Sequence, residues 1–129
     1  MIKLFLLYLV LAATLSAKHL HKEKYYQDIF CKKIGGITEY VLDDKTRVDC
    51  LTDEYAIEVD FASKWSEGAG QGLFYALKTG KKPAVYLIIE NDKEYKYLNR
   101  LQLLASKYEI LIFIRIGDGE YISLDTKRV

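Results

Sequence analysis

The chain has 129 residues, half of them apolar and 29% charged, which is enough for one domain with one core. That balance excludes a disordered chain, a collagen-like chain and a coiled coil. Lys and Arg number 19 against 18 Asp and Glu, so no basic excess draws the whole chain to nucleic acid or membrane. Two cysteines are too few for a disulfide-built scaffold or a Cys-only zinc site.

Residues 1–17 place Lys3 before an apolar run from Leu4 to Ala13 and end in small residues. This is the pattern of a secretory signal peptide, with an uncleaved anchor as the alternative. Its apolar run is shorter than the about 20 residues of a membrane span. Residues 18–129 then form a single domain. Its formal charge is zero, because Lys3 is the one charged residue removed. Export brings Cys31 and Cys50 into an oxidising compartment, where a disulfide between them is expected. In the cytosol they would be two buried thiols.

An apolar stripe of Leu20, Tyr25, Ile29 and Phe30 predicts a helix over His19–Lys33, ended by Gly35-Gly36. His19 and His21 stand in an N-terminal stretch expected to fray. Ile37–Leu42 predicts a strand, Asp43-Asp44 a turn, and Thr46–Leu51 and Tyr55–Phe61 two more strands. Ser63–Thr79 predicts a helix closed by Gly80. Gly68, Gly70 and Gly72 weaken that helix, and would allow it to approach the sheet or a ligand closely. Trp65 at its start is expected in the core. Ala84–Glu90 is a continuous apolar run typical of a central strand, with a polar loop at Glu90-Asn91-Asp92. Leu98, Leu101, Leu104 and Ala105 predict a helix over Tyr95–Tyr108. Ile110–Ile116 predicts a strand, and Gly117-Asp118-Gly119 turns the chain into a last strand over Tyr121–Leu124. The order αβββαβαββ implies an α/β fold, a mixed sheet with helices on both faces.

The chemistry concentrates in the second and third strands. A two-residue loop at Asp53-Glu54 places Asp49 opposite Glu58 and Arg47 opposite Asp60. Alternation along each strand then puts these four side chains on one face. Val48 and Cys50 point to the other face with Ile57, Val59 and Phe61. Facing carboxylates destabilise a sheet. A hard divalent cation would offset that repulsion and could activate water against a phosphate. The alternative is a solvated face with an Arg47–Asp60 ion pair. Lys64, Glu67, Gln71 and Tyr75 share one face of the following helix, which can overhang the carboxylates.

With this set of residues the chain resembles the PD-(D/E)XK nuclease superfamily, whose αβββαβ core matches the element order over residues 19–90. In that family an Asp precedes Glu-x-Lys on the next strand. Val48-Asp49 and Glu58-Val59-Asp60 occupy those places, and Gln71 and Tyr75 match the Gln-x-x-x-Tyr of RecB-like members. The resemblance implies a restriction-endonuclease-like fold and hydrolysis of phosphodiester bonds in nucleic acid, DNA above all. It implies Mg2+ or Mn2+ held by Asp49, Glu58 and the Val59 carbonyl, with Glu39 in support. Arg47, Gln71 and Tyr75 would orient the substrate. The family lysine is Asp60 here, which leaves Lys64, one helical turn on, as its migrated equivalent. The alternative is a catalytically inactive member with a binding or structural role. With the signal segment removed, the protein would be periplasmic or secreted, with no stable membrane association.

Overall fold

The computed structural model describes residues 19–124; the signal segment expected over 1–17 lies outside them. The elements are α1 (Glu23–Lys33), β1 (Ile37–Val41), β2 (Arg47–Leu51), β3 (Tyr55–Phe61), α2 (Trp65–Thr79), β4 (Lys82–Ile89), α3 (Tyr95–Tyr108), β5 (Leu111–Ile116) and β6 (Ile122–Leu124). Single 3-10 turns at Ala62–Lys64 and Asp92–Glu94 lead into α2 and α3. The strands form one six-stranded sheet in chain order. The pairs β3–β4 and β4–β5 are parallel and the other three are antiparallel. Among the described residues no helix is long and apolar enough to cross a membrane.

Parallel neighbours need crossover helices, and right-handed crossovers taken in one direction land on one face. Accordingly α2 and α3 share a face, packing Ala69, Leu98, Leu101 and Ala105 on Val85 and Leu87, with Trp65 against this cluster as expected. On the other face, Tyr26, Phe30 and Cys31 of α1 pack on Ile57, Val59, Tyr86 and Ile88. Strand β4 lies between two parallel neighbours and is buried from Ala84 to Ile89, which accounts for its unbroken apolar run. The left-handed residue Gly80 (φ 68°) closes α2.

Helix α1 starts at Glu23, four residues later than the apolar stripe predicts. The preceding stretch is drawn off the helix path by tertiary contacts. The Leu20 N–H donates to Glu90 Oε2 at 2.9 Å, and the His19 ring stacks on Phe61. The expected frayed start is thus tied down. The other end of α1 is fixed by a disulfide from Cys31 to Cys50 of β2. Both cysteines are fully buried, and a Cβ on Gly36 would stand 2.5 and 2.7 Å from the two sulfurs, so only glycine fits against the bridge.

Candidate functional site

The β2–β3 hairpin has the expected register, with Cys50 paired to Ile57 and Leu51 to Ala56. Its tip is the two-residue loop Asp53-Glu54, closed by the Thr52 N–H donating to the Tyr55 carbonyl at 2.9 Å. The Thr52 hydroxyl accepts the Tyr55 N–H at 2.9 Å, so a side chain supports a poor turn sequence.

Beyond Cys50 the ladder gives way to side chains. The Val59 N–H donates to Asp49 Oδ2 at 2.8 Å, and the Asp49 N–H donates to Glu58 Oε1 at 3.3 Å. Two carboxylates thus take the place of main-chain carbonyls. The strand alternation is interrupted there as well. Val48 packs with Ala56, Tyr75 and Leu51 instead of joining Cys50 on the α1 face, contrary to the alternation expected for it. Arg47 is exposed and pairs in register with Val41 of β1. No ion pair joins it to Asp60 among the described residues, because the strands no longer run as a regular ladder at that level.

Asp49, Glu58 and Asp60 therefore lie in one neighbourhood with no ion-paired cation among the described residues. Glu58 is 3% exposed and Asp60 6%. Burial and the adjacent Asp49 push the Glu58 carboxyl well above the usual carboxylate range. Asp49 is raised as well, by burial first, while the Val59 N–H and Glu58 oppose the rise. Burial pushes Asp60 up to about 8, with Glu23, Asp49 and Glu67 adding to the rise and Lys64 opposing it. Asp60 Oδ2 is buried and has no hydrogen-bond partner among the described residues. It lies against α2, where a Cβ on Gly68 would come within 2.5 Å of it. Gly72 also allows a close approach, 3.4 Å from its Cβ position to the Ala84 carbonyl, whereas Gly70 faces open space.

The other expected residues fall around this cluster to different degrees. Lys64 is exposed, close enough to lower both Asp60 and Glu23. Tyr75 is buried, and its hydroxyl is raised by burial first and then by Glu58 and Asp49, with the Arg47 main chain opposing the rise. Gln71 is half-buried one turn before Tyr75, and its side chain makes no hydrogen bond among the described residues. Glu39, in β1, is exposed with a left-handed backbone (φ 53°), and its Oε1 accepts from Gln27 Nε2 at 3.2 Å.

Two residues of the cluster carry no motif. Glu23 of α1 is raised by burial and then by Asp49. Gln27, one turn on and 3% exposed, donates from Nε2 to the Asp49 carbonyl at 2.9 Å as well as to Glu39. The available signal is the spacing 23, 27, 31. Once Cys31 is bridged to Cys50, the two preceding turns of the same helix stripe lie over Asp49.

Over 98 residues the chain is 31% identical to a protein of Acanthamoeba polyphaga mimivirus described as KilA-N domain-containing protein R878. The match covers 73% of this chain and 26% of that protein, so the chain spans about a quarter of the length of the curated relative it matches. No family model and no solved structure matches the chain.

The donors of the cluster are all oxygens, which suits a hard cation such as Mg2+. The unpartnered Asp60 Oδ2 fits the same chemistry. Among the described residues no three His, Cys, Asp or Glu side chains converge as a metal-binding group. Asp49 and Glu58 are instead engaged with main-chain N–H groups.

Proposed function

We propose that the chain is an exported, metal-dependent, nuclease-like protein of restriction-endonuclease-like fold that hydrolyses phosphodiester bonds of nucleic acid. The observation that carries this reading is the buried, unpartnered Asp60 Oδ2 beside the Asp49–Glu58 pair. Ionised buried acids are costly; in metal-free protein protonation relieves Asp60 and Glu58, and a bound cation would compensate their ionised forms. The element order α1-β1-β2-β3-α2-β4 supports the fold assignment. The match to a quarter of a viral protein named for a KilA-N domain is the likeness on which nucleic acid is proposed as the partner class. The Cys31–Cys50 bridge favours a periplasmic or secreted location.

This reading requires Asp49, Glu58 and Asp60, which do not converge as a metal-binding group among the described residues, to turn toward one Mg2+ or Mn2+, with the Val59 carbonyl and Glu39 in support. The bound cation would acidify water and neutralise charge on the phosphate. Lys64 supplies a positive charge at the rim of an otherwise acidic site, suited to the scissile phosphate or the attacking water. Tyr75, Gln71 and Arg47 would orient the nucleic-acid backbone. The second reading, an inactive nuclease-fold protein, draws on the hydrogen bonds that already engage Asp49 and Glu58 with the main chain.

Titration of Mg2+ and Mn2+ into the purified protein by calorimetry, with Asp49→Ala in parallel, separates the two. Binding lost in the variant, together with cleavage of DNA or RNA that Asp49→Ala and Glu58→Ala abolish in folded protein, establishes the nuclease. A folded wild type that binds neither metal, with or without nucleic acid, establishes the inactive member.

A further inference from the structure

Past the acid cluster, at the carboxyl ends of the parallel strands, lies a cleft of about 450 Å3 lined by His19, Tyr26, Glu90, Asn91, Glu94 and Gly117. Open α/β sheets place ligands at such strand ends. The chain's own His19 sits at this cleft like a small planar ligand. Its ring lies flat on Phe61, with centroids 3.5 Å apart and planes 7° from parallel. Its edge faces Glu90, with Nδ1 hydrogen-bonded to Oε1, while the Leu20 N–H donates to Oε2 at 2.9 Å. The Glu90 carboxylate thus receives two adjacent donors beside a stacked ring. Glu90 is itself held in place, because its N–H and the Asn91 side-chain amide both donate to Glu94 Oε1, at 3.1 and 3.0 Å.

Among the nucleobases this pattern suits guanine. Its N1–H and N2 amino group are neighbouring donors on one edge, and a carboxylate is acceptor-only. Adenine and cytosine offer one amino group beside an acceptor, and uracil and thymine one N–H between two carbonyls. Stacking on an aromatic side chain with the Watson–Crick edge read by polar groups is how unstacked bases are held. We propose that Phe61, Glu90 and the adjoining cleft form a guanine-binding subsite, and that His19 occupies its ring position as a built-in competitor. The inference rests on the nucleic-acid substrate proposed above and names a base that would be held at the strand ends. Phe61 follows Asp60 in β3 but turns its ring to the opposite, α1 face of the sheet, so the base would lie at the strand ends across the sheet from Asp60. Any ligand must displace His19, which lowers the apparent affinity of the intact protein in proportion to the open fraction.

The test is binding of guanosine 5′-monophosphate to the purified protein by calorimetry in EDTA, for wild type and His19→Ala, with the adenosine and cytidine monophosphates and free arginine as controls. It involves neither metal nor cleavage, so its outcome is independent of whether the chain is a nuclease. The expected result is that His19→Ala binds the guanosine nucleotide about tenfold or more tighter than wild type does, and about tenfold or more tighter than it binds the other two nucleotides. Adding Glu90→Gln should remove that preference. Because His19 covers a core aromatic, the wild type is followed alongside by NMR. There the guanosine nucleotide should shift the His19 ring signals and the adenosine nucleotide should not. Equal binding of all three nucleotides, preference for arginine, indifference to Glu90→Gln, or no guanosine binding to either protein overturns the proposal.

Discussion

Gln27 of α1 donates from Nε2 to the Asp49 carbonyl at 2.9 Å, tying the first helix to the strand residue at the centre of the acid cluster. The same nitrogen donates to Glu39, so one amide group orders two acidic residues on different strands. Gln27 is 3% exposed, and its removal leaves the Asp49 carbonyl without that donor in a dry setting. Gln27→Ala should cost about 1–3 kcal/mol. The urea midpoint should fall at unchanged slope; a midpoint equal to that of wild type would show the bond to be incidental.

Asp60 gives the stability a pH dependence of definite sign. In metal-free protein its carboxyl is raised to about 8 in the folded state, chiefly by burial, against an unfolded value of about 3.9. Between those values the folded chain holds the extra proton, so stability falls as the pH rises. This contribution is fully present below about pH 4 and is lost as the pH rises through about 8. The carboxamide of Asp60→Asn does not titrate there. Its melting temperature relative to wild type, in EDTA, should therefore climb steadily from pH 5 to 8. A constant difference across that range would mean that Asp60 titrates normally.

Gly68 is placed to test how tightly α2 presses on the cluster. A Cβ there would lie 2.5 Å from Asp60 Oδ2. Gly68→Ala should destabilise by about 1–3 kcal/mol despite alanine's better helix propensity. In an Asp60→Ala background most of that loss should vanish, giving a coupling of about 1 kcal/mol or more in a double-mutant cycle. Additive effects would show that the two residues do not meet.

The Cys31–Cys50 bridge closes a loop with a sequence separation of 19. Replacing both cysteines by serine should cost about 3 kcal/mol in denaturant unfolding of the oxidised protein. Unchanged stability would imply that packing of α1 alone holds it to the sheet.

Much of this architecture can be read from residue order. The meander, the apolar run of β4, the stripe of α3 and the hairpin register follow from periodicity and from one turn. The gathering of Asp49, Glu58 and Asp60 follows from that register. What periodicity misses depends on single tertiary bonds. The ladder stops at Asp49 because side chains take over its hydrogen bonds, which sends Val48 to the unexpected face and leaves Arg47 apart from Asp60. The helix start slips to Glu23 because Glu90 and Phe61 claim the residues before it. Glu23 and Gln27 belong to no motif and enter the site because the disulfide and the packing of Tyr26 and Phe30 seat their helix there.

The clamp on the N-terminal segment reaches across 70 residues, from Leu20 to Glu90. During synthesis the three-stranded meander can pair once residue 61 has emerged, and the first helix can then dock on it. The residues ahead of that helix must wait until the fourth strand has been made and laid in parallel beside the third. The described part of the chain that is made first is therefore among the last to be fastened.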